Sequence, residues 1–487
     1  MKSIKLVFVF FVLTLTVLSQ TNLTLEEAIN IAMKNSPDIR QSKLNLERSR
    51  ELLIAENARL KSNFSLRLSP FSFSKDRSFD DRFSQWYDTE SKQASGTFTI
   101  SQPIKWTDAT LSINNVFSYQ DHLSNINDTR LKNYDNRLYL SLTQPLFTYN
   151  RTMLQLKELE IDYENATLNF NIQQLAIEQR VAQSFYGVYQ QDMSLQISRE
   201  EYENQKKSHA IIKNKVDAGL AAKEEFYQAE LNLANSDLQL QNAKVTLDND
   251  LDQLKLLLGL PIEDEIKVVE DISHQAVDVD LQKAIIFALK NRMELRQSEM
   301  NIQNAYYSLT RTKALNEFRG DLSMTYGIIG TDEKVNNIYE TPTQNEQFSI
   351  SFNIPLYDWG ERNSRIKASE ASIQAAKWSD EDYRNNIVVN IRSAYRQLQQ
   401  LLGQIEIERQ NVRNAQLTYD INLERYANGD LTSIDLNIYQ NQLSQSKNNL
   451  IASLIQYRLG LLDMKVLTLY DFRNDKPVFE DVNNAKM

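Results

Sequence analysis

The residues able to do chemistry are few and scattered. Cysteine is absent, which removes disulfides, thiol nucleophiles and cysteine-linked lipid anchors. His122, His209 and His274 fall on separate segments, so no metal site and no cofactor are expected. No glycine-rich phosphate loop occurs, so the chain has no means of binding and spending a nucleotide. Adjacent acids such as Asp380-Glu381-Asp382 lie in a helical stretch and read as a solvated face rather than a catalytic pair. The best-placed carboxylates are Glu224, Glu225 and Asp435. Each follows a turn glycine, Gly219 or Gly429, and falls in the first turn of a predicted helix, where an acid also meets the positive end of the helix dipole. The net charge is −10 with no basic block, which disfavours nucleic acid as a partner.

The elements that carry these acids are long. Phe348-Ser349-Ile350-Ser351-Phe352-Asn353-Ile354 alternates apolar and polar residues, as a strand does, and Pro355 with Tyr357-Asp358-Trp359-Gly360 ends it. A polar run of about 68 residues then reaches Asn428-Gly429 with no proline and one interior glycine, Gly403. That run predicts a helix about 100 Å long. The same unit occurs 210 residues earlier: Leu140-Ser141-Leu142 matches Ile350-Ser351-Phe352, Pro145-Leu146-Phe147 matches Pro355-Leu356-Tyr357, and Gly219 matches Gly429. Ile177, Val181, Ser184, Val188, Gln191 and Leu195 step at heptad spacing, and so do Ile387, Ile391, Ala394, Leu398, Leu401 and Ile405. A second seam in the first copy, Ile172, Leu175, Gln179, Ala182, Tyr186, Tyr189 and Met193, asks for neighbours on two sides. A sheet or cylinder of helices meets that demand better than a simple pair.

Thr24-Leu25-Glu26-Glu27 fits a capping box. A helix is expected from Leu25 to about Lys61, with Pro37 as a kink or break. Ten identities in 21 positions relate Leu25–Asn45 to Leu281–Asn301 at an offset of 256. The chain therefore reads as two tandem repeats, 20–262 and 280–464, joined by a linker, 263–279. Each runs helix, strands, long helix (151–218 and 361–428), second helix (222–258 and 432–464). Residues 465–487 form a tail with no helical period, expected to be partly disordered. Residues 1–19 read as a secretory signal: Lys2 and Lys5 precede an apolar run from Leu6 to Leu18.

Strands are expected at 64–74, 97–104, 110–119 and 138–147 in the first repeat and at 321–329 and 348–356 in the second. Polar stretches 75–94, 121–135 and 331–345 read as exposed loops at their tips, with Trp86, Tyr87 and Tyr134 near the sheet ends. The offset falls from 256 to 210 between the landmarks, so the first repeat carries 46 extra residues, the length of one added hairpin around 97–119. One apolar and one small polar face suits a barrel with lipid outside and water inside. An ordinary half-buried antiparallel sheet alternates identically. The signal and the lack of any helix to cover the strands favour the barrel. No other stretch approaches 18 apolar residues, so any span of a membrane must use strands.

Leu-Thr-Leu-Glu-Glu-Ala-Ile at positions 23–29, Asn35-Ser36-Pro37, Gln144-Pro145-Leu146-Phe147, Ile354-Pro355-Leu356-Tyr357-Asp358-Trp359-Gly360 and the paired turn glycines resemble the TolC family of outer-membrane efflux proteins. The resemblance covers nearly the whole chain after residue 19. It implies an α+β membrane protein: a trimeric transmembrane β-barrel continuous with a long periplasmic α-helical barrel, belted by short helices and the tail. It implies a passive exit duct of a tripartite efflux or type I secretion system. The expected partners are two further copies in a homotrimer, a periplasmic adaptor (membrane fusion protein), an inner-membrane RND or ABC-type pump, and outer-membrane lipid. No enzyme activity is implied. The simplest family pattern has four strands per protomer, and the added hairpin departs from it.

The resemblance also assigns roles. Asp435 matches a constriction aspartate, but Ile438 stands where a second acid is expected. Glu225 takes the place of a latch acid, with Glu224 beside it as a further constriction candidate, but Leu431 stands where its arginine partner is expected; Arg425 or Lys223 could substitute. Gly219, Leu220, Gly429 and Leu431 would form the adaptor-contacting hairpin tips. A structural or adhesive coiled-coil surface protein without transport is the competing reading; heptads and a signal fit it, duplicated strands do not.

Overall fold

The computed structural model describes residues 21–124, 129–270, 272 and 276–478. The signal segment, His274 and the chain beyond 478 lie outside these residues. In chain order the elements are β1 (Thr21–Leu23), α1 (Leu25–Asn35), α2 (Pro37–Arg59), β2 (Asn63–Asp80), β3 (Gln85–Ile104), β4 (Ala109–Ser124), β5 (Thr129–Leu146), α3 (Arg151–Asp217), α4 (Lys223–Leu258), β6 (Ile266–Val268), α5 (Leu281–Asn291), α6 (Met293–Lys313), β7 (Arg319–Asp332), β8 (Thr343–Asn353), α7 (Glu361–Asn428), α8 (Ser433–Thr468), β9 (Tyr470–Asp471) and β10 (Lys476–Pro477). They divide into two compact units.

The first unit holds the described residues up to Leu44, Leu168–Leu295 and those from Asp382 onward. Its helices start where the sequence provides caps. Thr24 accepts the Glu27 N–H, and the Glu27 carboxylate accepts the Thr24 N–H at 3.0 Å. Pro37 opens a new helix rather than kinking one, because its missing N–H costs nothing in a first turn. Two cores repeat each other at the two sequence offsets. Ala28, Ala32, Ile39, Ile177 and Val181 are buried in one; Ala284, Ala288, Leu295, Ile387 and Ile391 are buried in the other. Both seams of α3 contribute to the first core, through Ile177 and Val188 on one side and Ala182 and Tyr186 on the other.

Two segments of this unit carry structure that the sequence did not show. Within the linker, β6 pairs in parallel with β1, Leu23 opposite Val268. The tail is ordered up to residue 478. Helix α8 runs on to Thr468, β9 and β10 pair behind it, and Asp475 accepts from Lys283 Nζ at 2.8 Å and Tyr470 Oη at 2.6 Å. These bonds fasten the tail to the first turn of α5.

The second unit, Asn45–Thr167 and Arg296–Glu381, contains one antiparallel sheet in the order β2-β3-β4-β5-β7-β8. The added hairpin, β3 with β4, is in that sheet: β3 pairs β2 and β4 pairs β5 over their lengths. Residues 75–94 are not a loop. Most of them continue β2 and β3 as a ribbon of cross-strand pairs, Lys75 with Glu90 at 2.8 Å, Arg77 with Asp88 at 3.6 Å, and Phe79 with Trp86 at 5.3 Å between rings. Likewise β4 runs to Ser124 and β5 starts at Thr129, whereas between β7, which ends at Asp332, and β8, which starts at Thr343, residues 333–342 form a connection as expected.

Alternation makes one face of the sheet apolar and the other small and polar. Leu322, Met324, Tyr326 and Ile328 share a face with Phe348, Ile350 and Leu138, Leu140, Leu142. The opposite face carries hydroxyl and amide contacts, Ser112 with Ser141 at 2.7 Å and Thr99 with Asn114 at 2.9 Å. Among the described residues of this unit no helix covers the apolar face, and Leu66, Ile350 and Phe352 are exposed. Aromatic rings cluster where strands meet helices: Phe147 with Phe318 at 5.4 Å, Phe318 with Phe352 at 5.6 Å, Tyr357 with Trp359 at 4.8 Å. Tyr134 lies tilted against Tyr119, 4.9 Å between ring centres, toward the other end. Two aromatic levels flanking an apolar band are what membrane interfaces select.

Candidate pore gate

The candidate residues come together at two turns of the first unit. Gly219 ends α3 at φ 75° and Gly429 ends α7 at φ 96°, a left-handed backbone that residues with side chains rarely adopt. The Leu220 N–H closes onto the Lys215 carbonyl at 2.8 Å, and the Asp430 N–H onto the Arg425 carbonyl at 3.0 Å. The two loops are thus the same stop motif, followed by α4 and α8. Gly219, Leu220 and Gly429 are exposed at the tips, whereas Leu431 is half-buried.

The two turns are tied crosswise. Glu225 Oε2 accepts the backbone N–H of Ser433 at 2.9 Å, so a carboxylate in the first turn of α4 caps the start of α8. Lys215 Nζ donates to the Tyr426 carbonyl at 2.5 Å, so a cation near the end of α3 meets the last turn of α7. Both signs suit the helix dipoles: an anion at an N-terminus and a cation at a C-terminus. Lys215 also lies 5.4 Å from the Tyr426 ring centre, and Tyr426 is almost fully buried. Behind the ties, Ile212, Ala229, Tyr419, Leu436 and Leu443 form a small core.

Leu431 packs against that core and replaces the expected latch arginine with apolar contact. Arg425 does not substitute: its Nη1 reaches Asn422 Oδ1 at 3.2 Å on its own helix. The partner of Glu225 is a backbone amide, not the side chain of Arg425 or Lys223. Asp435 sits in the cap of α8, where Thr432 Oγ1 donates to its carboxylate at 2.7 Å and accepts its N–H at 3.2 Å. Glu224 is exposed in the first turn of α4, and Ile438 is exposed on α8.

Above the small core lies a polar layer between α3 and α8. Asn204 pairs with Gln440 at 3.0 Å, Gln205 with Asn437 at 2.8 Å, and Ser444 donates to Glu201 at 3.0 Å. Glu201 is buried, and burial raises its carboxyl above the usual range while the Ser444 bond opposes the rise. Beside it, Lys447 Nζ reaches both oxygens of Glu200 at 2.8 Å. Buried polar pairs fix the register of two helices more than they stabilise them.

Nothing in this arrangement does bond chemistry. Among the described residues no three His, Cys, Asp or Glu side chains converge on a metal position. The geometry holds two helical hairpins together through side-chain to backbone bonds, which can be broken without unfolding a core. Sequence reasoning missed Lys215, Tyr426 and Ser433, because a bond to a backbone group leaves no partner residue type to look for.

The comparisons with known proteins bear on this fold and its turns. The family described as outer membrane efflux protein matches residues 28–260 and 285–461. Outer membrane protein TolC of Escherichia coli (strain K12) is 22% identical over 344 residues, covering 67% of this chain and 68% of that one. The Campylobacter jejuni CmeC outer membrane channel superposes with a TM-score of 0.71 at 15% identity, covering 94% of this chain and 88% of that one. VceC, an outer membrane protein of Vibrio cholerae, superposes with a TM-score of 0.66 at 14% identity, covering 91% of this chain and 94% of that one.

Proposed function

The chain belongs to the outer membrane efflux protein family, and on that premise we propose that it works as a homotrimeric exit duct opened at its helical turns. It is an outer-membrane transport channel extending into the periplasm, not an enzyme. The competing reading, a structural surface protein without transport, does not fit the family or the fold. The observation that carries the channel is the family match across both repeats, with a sheet whose faces divide into apolar and polar.

A trimer is supported by surface that one chain leaves uncovered. Tyr227, Leu231, Leu238, Val245 and Leu256 are exposed along α4 at steps of 4, 7, 7 and 11. That is coiled-coil spacing, and it needs a neighbouring helix. A second copy offers one, because α7 exposes Val389, Ile407, Leu417 and Ile421. In a trimer, three Asp435 carboxylates face one another across the axis and favour cations, with Glu224 and Glu225 nearby. Gly219, Leu220 and Gly429 form the tips that meet a periplasmic adaptor, with Leu431 packed behind them, and the adaptor is itself bound to an inner-membrane pump of RND or ABC type. Tip glycines leave the backbone open to such a partner. The substrate is then chosen by the pump, and the outer-membrane lipid meets the apolar face of the sheet.

The test is solute release from proteoliposomes containing the purified protein, with small dyes trapped inside. Release through the wild type, faster when Glu225 and Lys215 are replaced, supports a gated duct. Vesicles that hold every dye while containing folded, inserted protein contradict it.

A further inference from the structure

The sheet of the second unit has two unpaired edges, β2 and β8. Every residue of β8 is exposed, as are the residues of β2 from Asn63 to Phe79. In hydrocarbon an unpaired row of backbone N–H and C=O groups is unaffordable, so a membrane sheet must close on itself or on a neighbour. Six strands are too few to enclose a water-filled lumen in one chain.

Three features match the two edges to each other. All five pairings are antiparallel, and six is an even number, so β8 runs opposite to β2. A β8 of one copy therefore meets a β2 of the next in antiparallel sense. The apolar face reaches both edges, with Phe64, Leu66 and Leu68 on β2 and Phe348, Ile350 and Phe352 on β8. It also passes unbroken through the added hairpin, where register places Phe64, Ile100, Ile113, Leu140 and Tyr326 in one row. A hairpin folded outside a barrel would have no reason to keep its apolar residues flush with that row, nor its hydroxyls on the lumen side.

We infer that each chain places six strands, not four, in the membrane wall, and that the barrel closes by antiparallel pairing of β8 with β2 of the next copy. The edge-to-edge contact is heterologous, of the kind that forms a ring when its rotation closes. This rests on the trimer proposed above: three copies of six strands make eighteen. A wall of that size is in the range that leaves an open aqueous lumen. The added hairpin thus widens the outer-membrane end of the duct.

The chain has no cysteine, so paired cysteines report strand neighbours without background. On the polar face, S65C and S69C are each combined with S349C and S351C, the panel reading the seam register. Outer membranes carrying each variant are mildly oxidised and run on reducing and non-reducing gels. At least one pair should give a covalent ladder ending at the trimer, absent from every single variant. S112C/S141C should close within one chain, since these residues face each other across β4 and β5. S65C/S141C should stay open, since β3 and β4 separate β2 from β5. A closed S65C/S141C bond with an open S112C/S141C pair would put the hairpin outside the wall and overturn the inference. Conducting channels that yield no ladder from any seam pair would overturn the seam alone. Protein giving neither ladders nor channels would overturn the duct reading as well.

Discussion

Glu225 on α4 accepts the backbone N–H of Ser433 on α8 at 2.9 Å, so one hairpin supplies the helix cap of the other. The bond is charge-assisted and placed at a positive helix end, yet it is half-exposed and breaks without disturbing a core. In the gate proposed above, a closed state held this way should be easy to release.

Replacing the cap should therefore favour opening. Glu225→Ala and Lys215→Met should each cost the closed arrangement about 1 kcal/mol, the usual value of a lost helix cap or hydrogen bond, which is roughly fivefold in the closed-to-open ratio. The double variant should exceed either single variant. Open probability in voltage-clamped bilayers reads this directly.

Asp435 is held in its own helix cap, and the duct reading gives it a second task at the pore. Asp435→Asn keeps a capping side chain near Thr432 but removes three negative charges from a trimer. Preference for potassium over chloride should fall severalfold, with little change in heat stability. The reversal potential under a salt gradient measures it. An unchanged preference would leave Asp435 as a cap only.

Burial raises the Glu201 carboxyl above its ordinary value of 4.5. The folded protein then keeps this proton to higher pH than the unfolded chain does. Stability from this group falls as pH rises from about 4.5 through the raised value, and stays lowered above it. Glu201→Gln should match wild type near pH 4 and be more heat-resistant at pH 8. Asp463, raised by burial against a Gln179 bond, adds a slope of the same sign that the substitution leaves in place. Melting of the detergent-solubilised oligomer at the two pH values checks the difference.

The two cores are copies, so equivalent truncations should cost alike. Ile177 and Ile387 occupy matching positions, and both are buried. Ile177→Ala and Ile387→Ala should each lose about 2–5 kcal/mol. Denaturant titration should place both variants near one another and well below wild type.

The architecture was legible because its signals are periodic. The 256- and 210-residue offsets located two cores, and Thr24 with Glu27 announced a helix start that the structure shows as a capping box. Pro37 was ambiguous between kink and break, since a proline inside a helix kinks it whereas one in a first turn opens a new helix. The outer ribbon of β2 and β3 was not legible from hydrophobicity. Its alternation is of charge, Lys75 and Arg77 opposite Glu90 and Asp88, and polar stretches read as loops when only apolar periods are sought. The ties between the two turns were half legible. Turn glycines and first-turn acids marked the place, but Leu431 broke the expected ion pair, and the actual ties from Glu225 and Lys215 go to backbone atoms that every residue possesses.

The most direct test is single-channel recording of the purified protein in a planar bilayer, wild type beside the Lys215→Met/Glu225→Ala double variant. The duct held shut at its helical turns predicts channels that rest mostly in a small-conductance state in the wild type and occupy a larger-conductance state severalfold more often in the variant. A folded, detergent-stable oligomer that conducts identically with and without the two ties would contradict the gate, and one that never conducts would contradict the duct.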